Sequence, residues 1–271
     1  PLTAMIRNLG KMTAVGLLAP LSTAARLVTD RLADQDRLRK ARVHPIAVLN
    51  ALRVYAQGKG DKGSLAWAPV GQIVDALDAA FYRCFGNVTP TNKRLLLALD
   101  ISGSMDDSKI AGTALTAREA SAALALVTAA VEPSYAMIGF TSSSRYGYDH
   151  ESGVTELAIS PRQRLDDVVK YLAGLPMGAT DCALPMLYAR AKKMDVDCFV
   201  TLTDSETFAG NIHPSQALAD YRLARIAIAR QVIVGMTSTG FSIAKRDDPL
   251  SLDVVGFDLA TPQAISAFIA G

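Results

Sequence analysis

The chain has 271 residues, half of them hydrophobic and a fifth charged, which is the make-up of an ordinary globular protein. No apolar stretch approaches the ~20 residues of a membrane span, so no membrane partner is expected. The net charge of +2 hides an asymmetry: residues 1–94 hold 14 Lys and Arg against 6 Asp and Glu, a net +8, and residues 95–271 hold 14 against 20, a net −6. A basic segment joined to an acidic one suggests two jobs, with nucleic acid a natural partner for the first.

The opening Pro1-Leu2-Thr3-Ala4-Met5 has no signal-peptide pattern and no initiator Met, so the chain is expected to be a piece of a longer one. Cys84, Cys182 and Cys198 are odd in number, widely spaced and without a CxxC pair. That pattern fits reduced, buried thiols and a cytoplasmic location. The three histidines are not spaced to share a metal, which argues against zinc chemistry.

The first third reads as helices. Leu2, Ile6, Leu9 and Met12 recur at helical spacing, as do Ile73, Leu77, Phe81 and Phe85. A helix is expected over about 22–41, and Pro45 and Pro69 open two more at roughly 45–57 and 69–85. Gly58-Lys59-Gly60-Asp61-Lys62-Gly63 reads as a flexible connector; it is no phosphate-binding loop, because no Gly-Lys-Ser/Thr closes it. Successive helix pairs of this kind suggest α-solenoid units, although no sharp repeat is visible.

From Asn92 the pattern changes to strands alternating with helices. Leu95 to Leu99 is apolar on both faces, as a buried parallel strand should be. An Ala-rich helix follows over about 111–131, ended by Pro133. Then come a strand from Tyr135 to Phe140, a helix over 182–194, and a strand from Cys198 to Leu202. A helix over 214–228, strands from Gln231 to Gly235 and from Ser251 to Val255, and a helix from Thr261-Pro262 complete the series. The expected fold is α/β, a doubly wound, mostly parallel sheet preceded by all-α helices.

Asp100 stands where the first strand ends, the place at which open α/β sheets bind ligands. Ser102 and Ser104 follow at alternate positions in a turn loosened by Gly103. Oxygen donors without His or Cys suit a hard cation, Mg²⁺ or Mn²⁺. A blander reading is open for this string alone: Asp100 and the serines can cap the helix that follows. Gly178-Ala179-Thr180-Asp181 before a helix and Thr203-Asp204-Ser205 after a strand tilt the balance, because both loops belong at the same end of the sheet. Asp100, Ser102, Ser104, Thr180 and Asp204 together resemble the metal-ion-dependent adhesion site of von Willebrand A domains. In that family hydroxyls touch the ion, an Asp often acts through water, and one coordination position stays open for an acidic side chain of a partner, a phosphate oxygen or water. No nucleophile with a general base is visible, so no enzyme is expected.

The resemblance reaches further. Pro1 to Thr13, Ala41-Arg42-Val43-His44-Pro45 and Ala76 to Tyr82 are similar to the late part of the TROVE module of Ro ribonucleoproteins. Gly178 to Pro185, Thr203 to Gly210 and Gly235 to Phe241 resemble the A domain of the same family. The resemblance implies that residues 1–91 are the last HEAT-like helices of a TROVE module and residues 92–271 a Rossmann-like A domain that serves partner contact or closure of the ring of helical repeats. It also implies that non-coding RNA, Y RNAs and misfolded RNA, is the partner of the whole protein, in RNA quality control. The earlier repeats have no counterpart here, so their RNA contacts cannot be carried over.

Within residues 1–91, Arg37, Arg39, Lys40, Arg42 and His44 form a basic run that either meets RNA phosphates or is a solvated helix face. Arg7 and Lys11, one helical turn apart, are a second candidate pair. His44, just before Pro45, reads first as a helix-start residue, and Trp67 as a packing anchor rather than a base-stacking platform. Asp181 and Glu206 read as neighbours of the metal motif. Arg145 and Tyr146 lie in a loop that either borders the metal face or varies freely. The competing function is a metal-dependent protein-interaction module whose helices are only support.

Overall fold

The computed structural model describes residues 1–60, 63–110, 112–142, 153–204, 209–237, 243–245, 247–256 and 261–271. It divides into two compact units, Pro1–Thr89 with Gly112–Leu115, and Pro90–Ala111 with Thr116–Gly271. Among the described residues no helix is long and apolar enough to cross a membrane.

The first unit is helical: α1 (Leu2–Arg7), α2 (Leu9–Ala14), α3 (Thr23–Ala33), α4 (Gln35–Lys40), α5 (Pro45–Ala56) and α6 (Gly71–Arg83), with a 3₁₀ turn at Cys84–Asn87. The helix expected over 22–41 is in fact two. Asp34 leaves the helical region at φ −77°, ψ 100°, and its carboxylate accepts the Arg37 N–H at 3.0 Å, closing one helix and capping the next. Leu32, Leu38, Leu49, Ile73, Leu77 and Phe81 are fully buried and form the core. Tyr55 ties the unit together: its hydroxyl accepts the Val70 N–H at 3.1 Å and lies 3.0 Å from Thr13 Oγ1. Its carbonyl accepts the Trp67 indole N–H at 2.9 Å. Gly10 lies against that indole, where a Cβ would come within 2.6 Å of the ring. Trp67 is therefore a packing anchor. The expected connector 58–63 carries, in its described part, an isolated antiparallel bridge from Lys59 to Ala66.

The second unit is an α/β sheet: β1 (Leu95–Asp100), α7 (Ser104–Asp107), α8 (Ala117–Val131), β2 (Tyr135–Phe140), β3 (Val154–Glu156), α9 (Leu165–Ala173), α10 (Leu184–Ala191), β4 (Cys198–Thr203), α11 (Pro214–Ala224), β5 (Arg230–Gly235), β6 (Ser251–Val255) and α12 (Thr261–Ala270). The strand order is β3-β2-β1-β4-β5-β6. All neighbours are parallel except β2 and β3. Every residue of β1 and β4 is buried, as central parallel strands covered on both faces must be. On one face Leu96, Ala98, Ile138, Phe140, Phe199 and Ile233 pack with Cys182, Met186, Leu218 and Tyr221.

Helix α8 starts at Ala117 rather than near 111, because Thr116 and Glu119 form a reciprocal capping box. Two elements lie outside the periodicities read from the sequence. One is the three-residue antiparallel edge strand β3; the other is α9, whose Leu165, Val168 and Leu172 are its buried stripe.

Candidate metal centre

Strands β1 and β4 pair in parallel, so their carboxyl ends lie side by side. Asp100 closes β1 and Asp204 follows β4, both almost completely buried at 2% and 4% exposure. Asp100 is held by three neighbours. Its Oδ1 accepts the Ser102 N–H at 2.8 Å, and its Oδ2 accepts the Thr203 hydroxyl at 2.7 Å and the Thr180 hydroxyl at 3.4 Å. The Ser102 and Ser104 hydroxyl oxygens lie 3.1 Å apart. Helix α7 has Gly103 at its N-cap and no side-chain cap bond, so the Asp-x-Ser-x-Ser string is not capping that helix.

The Thr180 loop is fixed from the end of β2. Thr141 donates its hydroxyl to the Ala179 carbonyl at 2.9 Å, and its own carbonyl accepts the Asp181 N–H at 3.1 Å. Gly178 is required there, because a Cβ would come within 2.7 Å of Thr141 Oγ1. Asp181 caps the following turn, its Oδ1 accepting the Ala183 N–H at 2.9 Å. Asp204 is anchored through its backbone, with the Thr237 hydroxyl donating to its carbonyl at 2.6 Å. Thr203, Thr141 and Thr237 are site residues that the sequence pattern did not single out; only the position of Thr203, directly before Asp204 at a strand end, signals it.

The electrostatics point one way. Burial pushes the Asp100 carboxyl above the ordinary carboxylate range, against the hydrogen bonds from Ser102 and Thr203, and the charge of Asp204 adds to the rise. Burial also raises Asp181. Asp204 Oδ1 is buried and has no hydrogen-bond partner among the described residues. An unanswered acceptor in an acid-rich pocket is what a cation, or water bound to one, satisfies. Among the described residues no three His, Cys, Asp or Glu side chains are placed to hold a metal. The donors here are two carboxylates and three hydroxyls, a hard oxygen set poor in charge, which fits Mg²⁺ or Mn²⁺.

Residues 94–269 match the Ro60 vWA domain family, and residues 1–53 match the TROVE domain. The chain belongs to the Ro60 family. It is 42% identical over 272 residues to the RNA-binding protein RO60 of Deinococcus radiodurans, an alignment covering 100% of this chain and 49% of the relative. It is also 42% identical over 272 residues to the RNA-binding protein RO60 of Caenorhabditis elegans, covering 100% of this chain and 40% of the relative. The crystal structure of the Deinococcus radiodurans RO (RSR) protein superposes with a TM-score of 0.90 at 42% identity, over 99% of this chain and 53% of that one. The chain thus spans about half the length of the relatives it matches. Both relatives are named as binding proteins and not as enzymes.

In the Ro-type helical unit, Arg7, Lys11, Arg37, Arg39, Lys40 and Arg42 are all exposed. Arg7 and Lys11 are not on one continuous helix, since Asn8 separates α1 from α2 at φ −103°, ψ 8°. Arg37 is paired with Asp34 at 2.7 Å and Arg39 with Asp36 at 2.6 Å, which halves the free charge of the run. Lys40 and Arg42 have no ion pair among the described residues. His44 differs from its neighbours. Its Nδ1 accepts the Ile46 N–H at 3.2 Å as the cap of α5, and burial lowers its pKa to about 4, so at neutral pH it brings no charge to a phosphate. Cys84, Cys182 and Cys198 are buried and outside any disulfide, and burial pushes the Cys84 and Cys198 thiols up to about 12. Glu206, Arg145 and Tyr146 lie outside the described residues.

Proposed function

We propose that this chain is the part of an RNA-binding Ro ribonucleoprotein in which the last TROVE helices, residues 1–91, join a divalent-cation-binding A domain, residues 92–271. Asp100, Ser102, Ser104, Thr180 and Asp204 hold one Mg²⁺ or Mn²⁺. The observation that carries this is the buried, unanswered Oδ1 of Asp204 beside an Asp100 whose ionised form burial and the Asp204 charge both disfavour. When bound there, the ion would supply positive charge for an acidic side chain of a protein partner. The protein does the rest: Thr203 orients Asp100, Thr141 sets the Thr180 loop, and Thr237 fixes Asp204.

The partner of the whole protein is non-coding RNA, Y RNA and misfolded RNA, met in the cytoplasm; the names of the relatives and the +8 balance of residues 1–94 support RNA as the class of partner. Within this chain, Arg7, Lys11, Lys40 and Arg42 are the phosphate-contacting candidates, with Arg37 and Arg39 secondary because of their ion pairs. The test is a titration of single-stranded RNA at two salt concentrations, with and without chelator. Weak, salt-sensitive, chelator-insensitive binding supports this division of labour. RNA binding that chelator abolishes overturns it, and chelator-sensitive capture of an acidic protein without RNA binding favours the interaction-module reading.

A further inference from the structure

Helix α8 is built largely from small residues, with Ala117, Ala120, Ala122, Ala123 and Ala125 all buried, yet its second residue is Arg118 at 1% exposure. The guanidinium turns back to the metal loop. Nε and Nη2 both donate to the carboxylate of Asp106, the latter at 3.0 Å, and Nη2 also donates to the Ser102 carbonyl at 3.0 Å. Nη1 is buried with no partner among the described residues.

Such an arrangement is a poor way to add stability. A buried guanidinium forgoes hydration, one nitrogen gets nothing in return, and Asp106 is 42% exposed, so the ion pair is weakened by water. What the hydrogen bonds achieve is positional. Ser102 lies just before α7 and Asp106 within it, and this helix of four residues is too short to hold itself. The bonds from Arg118 fasten Ser102, on the approach to α7, and Asp106, within it, to α8, and Ser104 lies between these two residues in the chain.

We propose that Arg118 is a positioning residue for the cation site, clamping the Ser102–Asp106 turn so that the two serine hydroxyls are preset for the ion. The inference rests on the cation reading of Asp100, Ser102, Ser104, Thr180 and Asp204. It makes a prediction opposite in sign to simple electrostatics. A buried cation close to a metal site repels the metal, so its removal would strengthen binding if charge were its main contribution. Loss of the clamp weakens binding instead.

The experiment is Mg²⁺ calorimetry on the full chain for wild type, Arg118→Met, Arg118→Lys and Asp106→Asn, with amide hydrogen exchange of residues 102–106 in chelator. Arg118→Met is expected to weaken Mg²⁺ binding about tenfold or more. Arg118→Lys, which keeps one donor, recovers part of that loss, and Asp106→Asn loses less than Arg118→Met. In chelator, the amides of residues 104–106 exchange faster in Arg118→Met while those of β4 are unchanged. If Arg118→Met does not fold, Asp106→Asn carries the test, because it loosens the clamp without emptying the core. Binding by the Arg118 variants as tight as wild type or tighter, or unchanged exchange in the loop, overturns the clamp. Absence of Mg²⁺ binding by the wild type overturns the cation reading itself and this inference with it.

Discussion

The two units bury polar groups of different kinds. In the helical unit, Tyr55 and Asn87 are answered from within. The Tyr55 hydroxyl serves Val70 and Thr13, and the Asn87 amide donates to the carbonyls of Leu38 and Val43 at 3.3 and 2.9 Å. At the carboxyl end of the sheet, Asp204 Oδ1 and Arg118 Nη1 are left over, and Asp100 is ionised only against the cost of burial. A satisfied network helps to fix a fold, whereas an unanswered carboxylate oxygen next to a second buried acid is a place that a cation can fill. Unanswered atoms alone do not locate a site, since Gln72 Nε2 of the helical unit is also buried without a partner among the described residues; what sets the carboxyl end of the sheet apart is an unanswered carboxylate oxygen, Asp204 Oδ1, beside a second buried acid, Asp100.

The largest effect that sharpens this contrast is in the helical unit. Trp67→Ala removes the indole that packs against Gly10 and stacks near Tyr55, together with its hydrogen bond. Chemical denaturation should show a loss of about 3 kcal/mol, with Mg²⁺ affinity unchanged. Coupled loss of both would show that the two units do not divide the work as described.

Next in size is a pH effect from His44. The folded protein keeps this ring neutral down to about pH 4, whereas the unfolded chain takes up a proton near its ordinary value of 6.5. Protons therefore favour unfolding: the contribution is intact above 6.5 and is lost progressively as pH falls towards 4. The partial exposure of the ring limits the loss to roughly 1–2 kcal/mol. His44→Asn keeps a capping side chain and should flatten this part of the profile; an unchanged slope between pH 6.5 and 4 would contradict the assignment.

The metal face should behave the other way. Asp204→Asn removes a negative charge beside Asp100 and should raise the melting temperature in chelator slightly, by the equivalent of about 0.5–1 kcal/mol, while weakening Mg²⁺ binding. A fall in chelator-treated stability would mean that Asp204 is already satisfied. The smallest effect concerns RNA. Reversing Lys40 or Arg42 to Glu should lower the log–log salt slope of single-stranded RNA binding by about 0.7 for each phosphate no longer neutralised. Reversing Arg37 should do less, because Asp34 already pairs with it.

Much of this was legible in the sequence. Leu95 to Asp100 reads as a buried strand ending in an acid because parallel central strands are apolar on both faces, and Thr180 and Asp204 follow from loops at the same end of one sheet. The rest was hidden by physical causes that can be named. The Ala run before Val131 extends the apparent helix towards 111, while the chain starts it at Ala117 because Thr116 and Glu119 satisfy each other's backbone groups. The break at Asp34 is a side chain replacing a helical hydrogen bond, which periodicity does not register. Strand β3 has three residues, too few to show alternation, and only its antiparallel pairing with β2 reveals it. Arg118 looks like any surface arginine of a helix; only the fold shows that its turn of α8 faces the metal loop.

The central claim is that the top of the sheet holds a divalent cation. Calorimetric titration of Mg²⁺ into the chelator-treated protein tests it most directly, beside Asp100→Ala with its fold confirmed by circular dichroism. One binding event per chain is expected in the wild type, with a melting temperature that rises with Mg²⁺ concentration, and neither in Asp100→Ala. Equal binding by the two proteins, or none by the wild type, would contradict it.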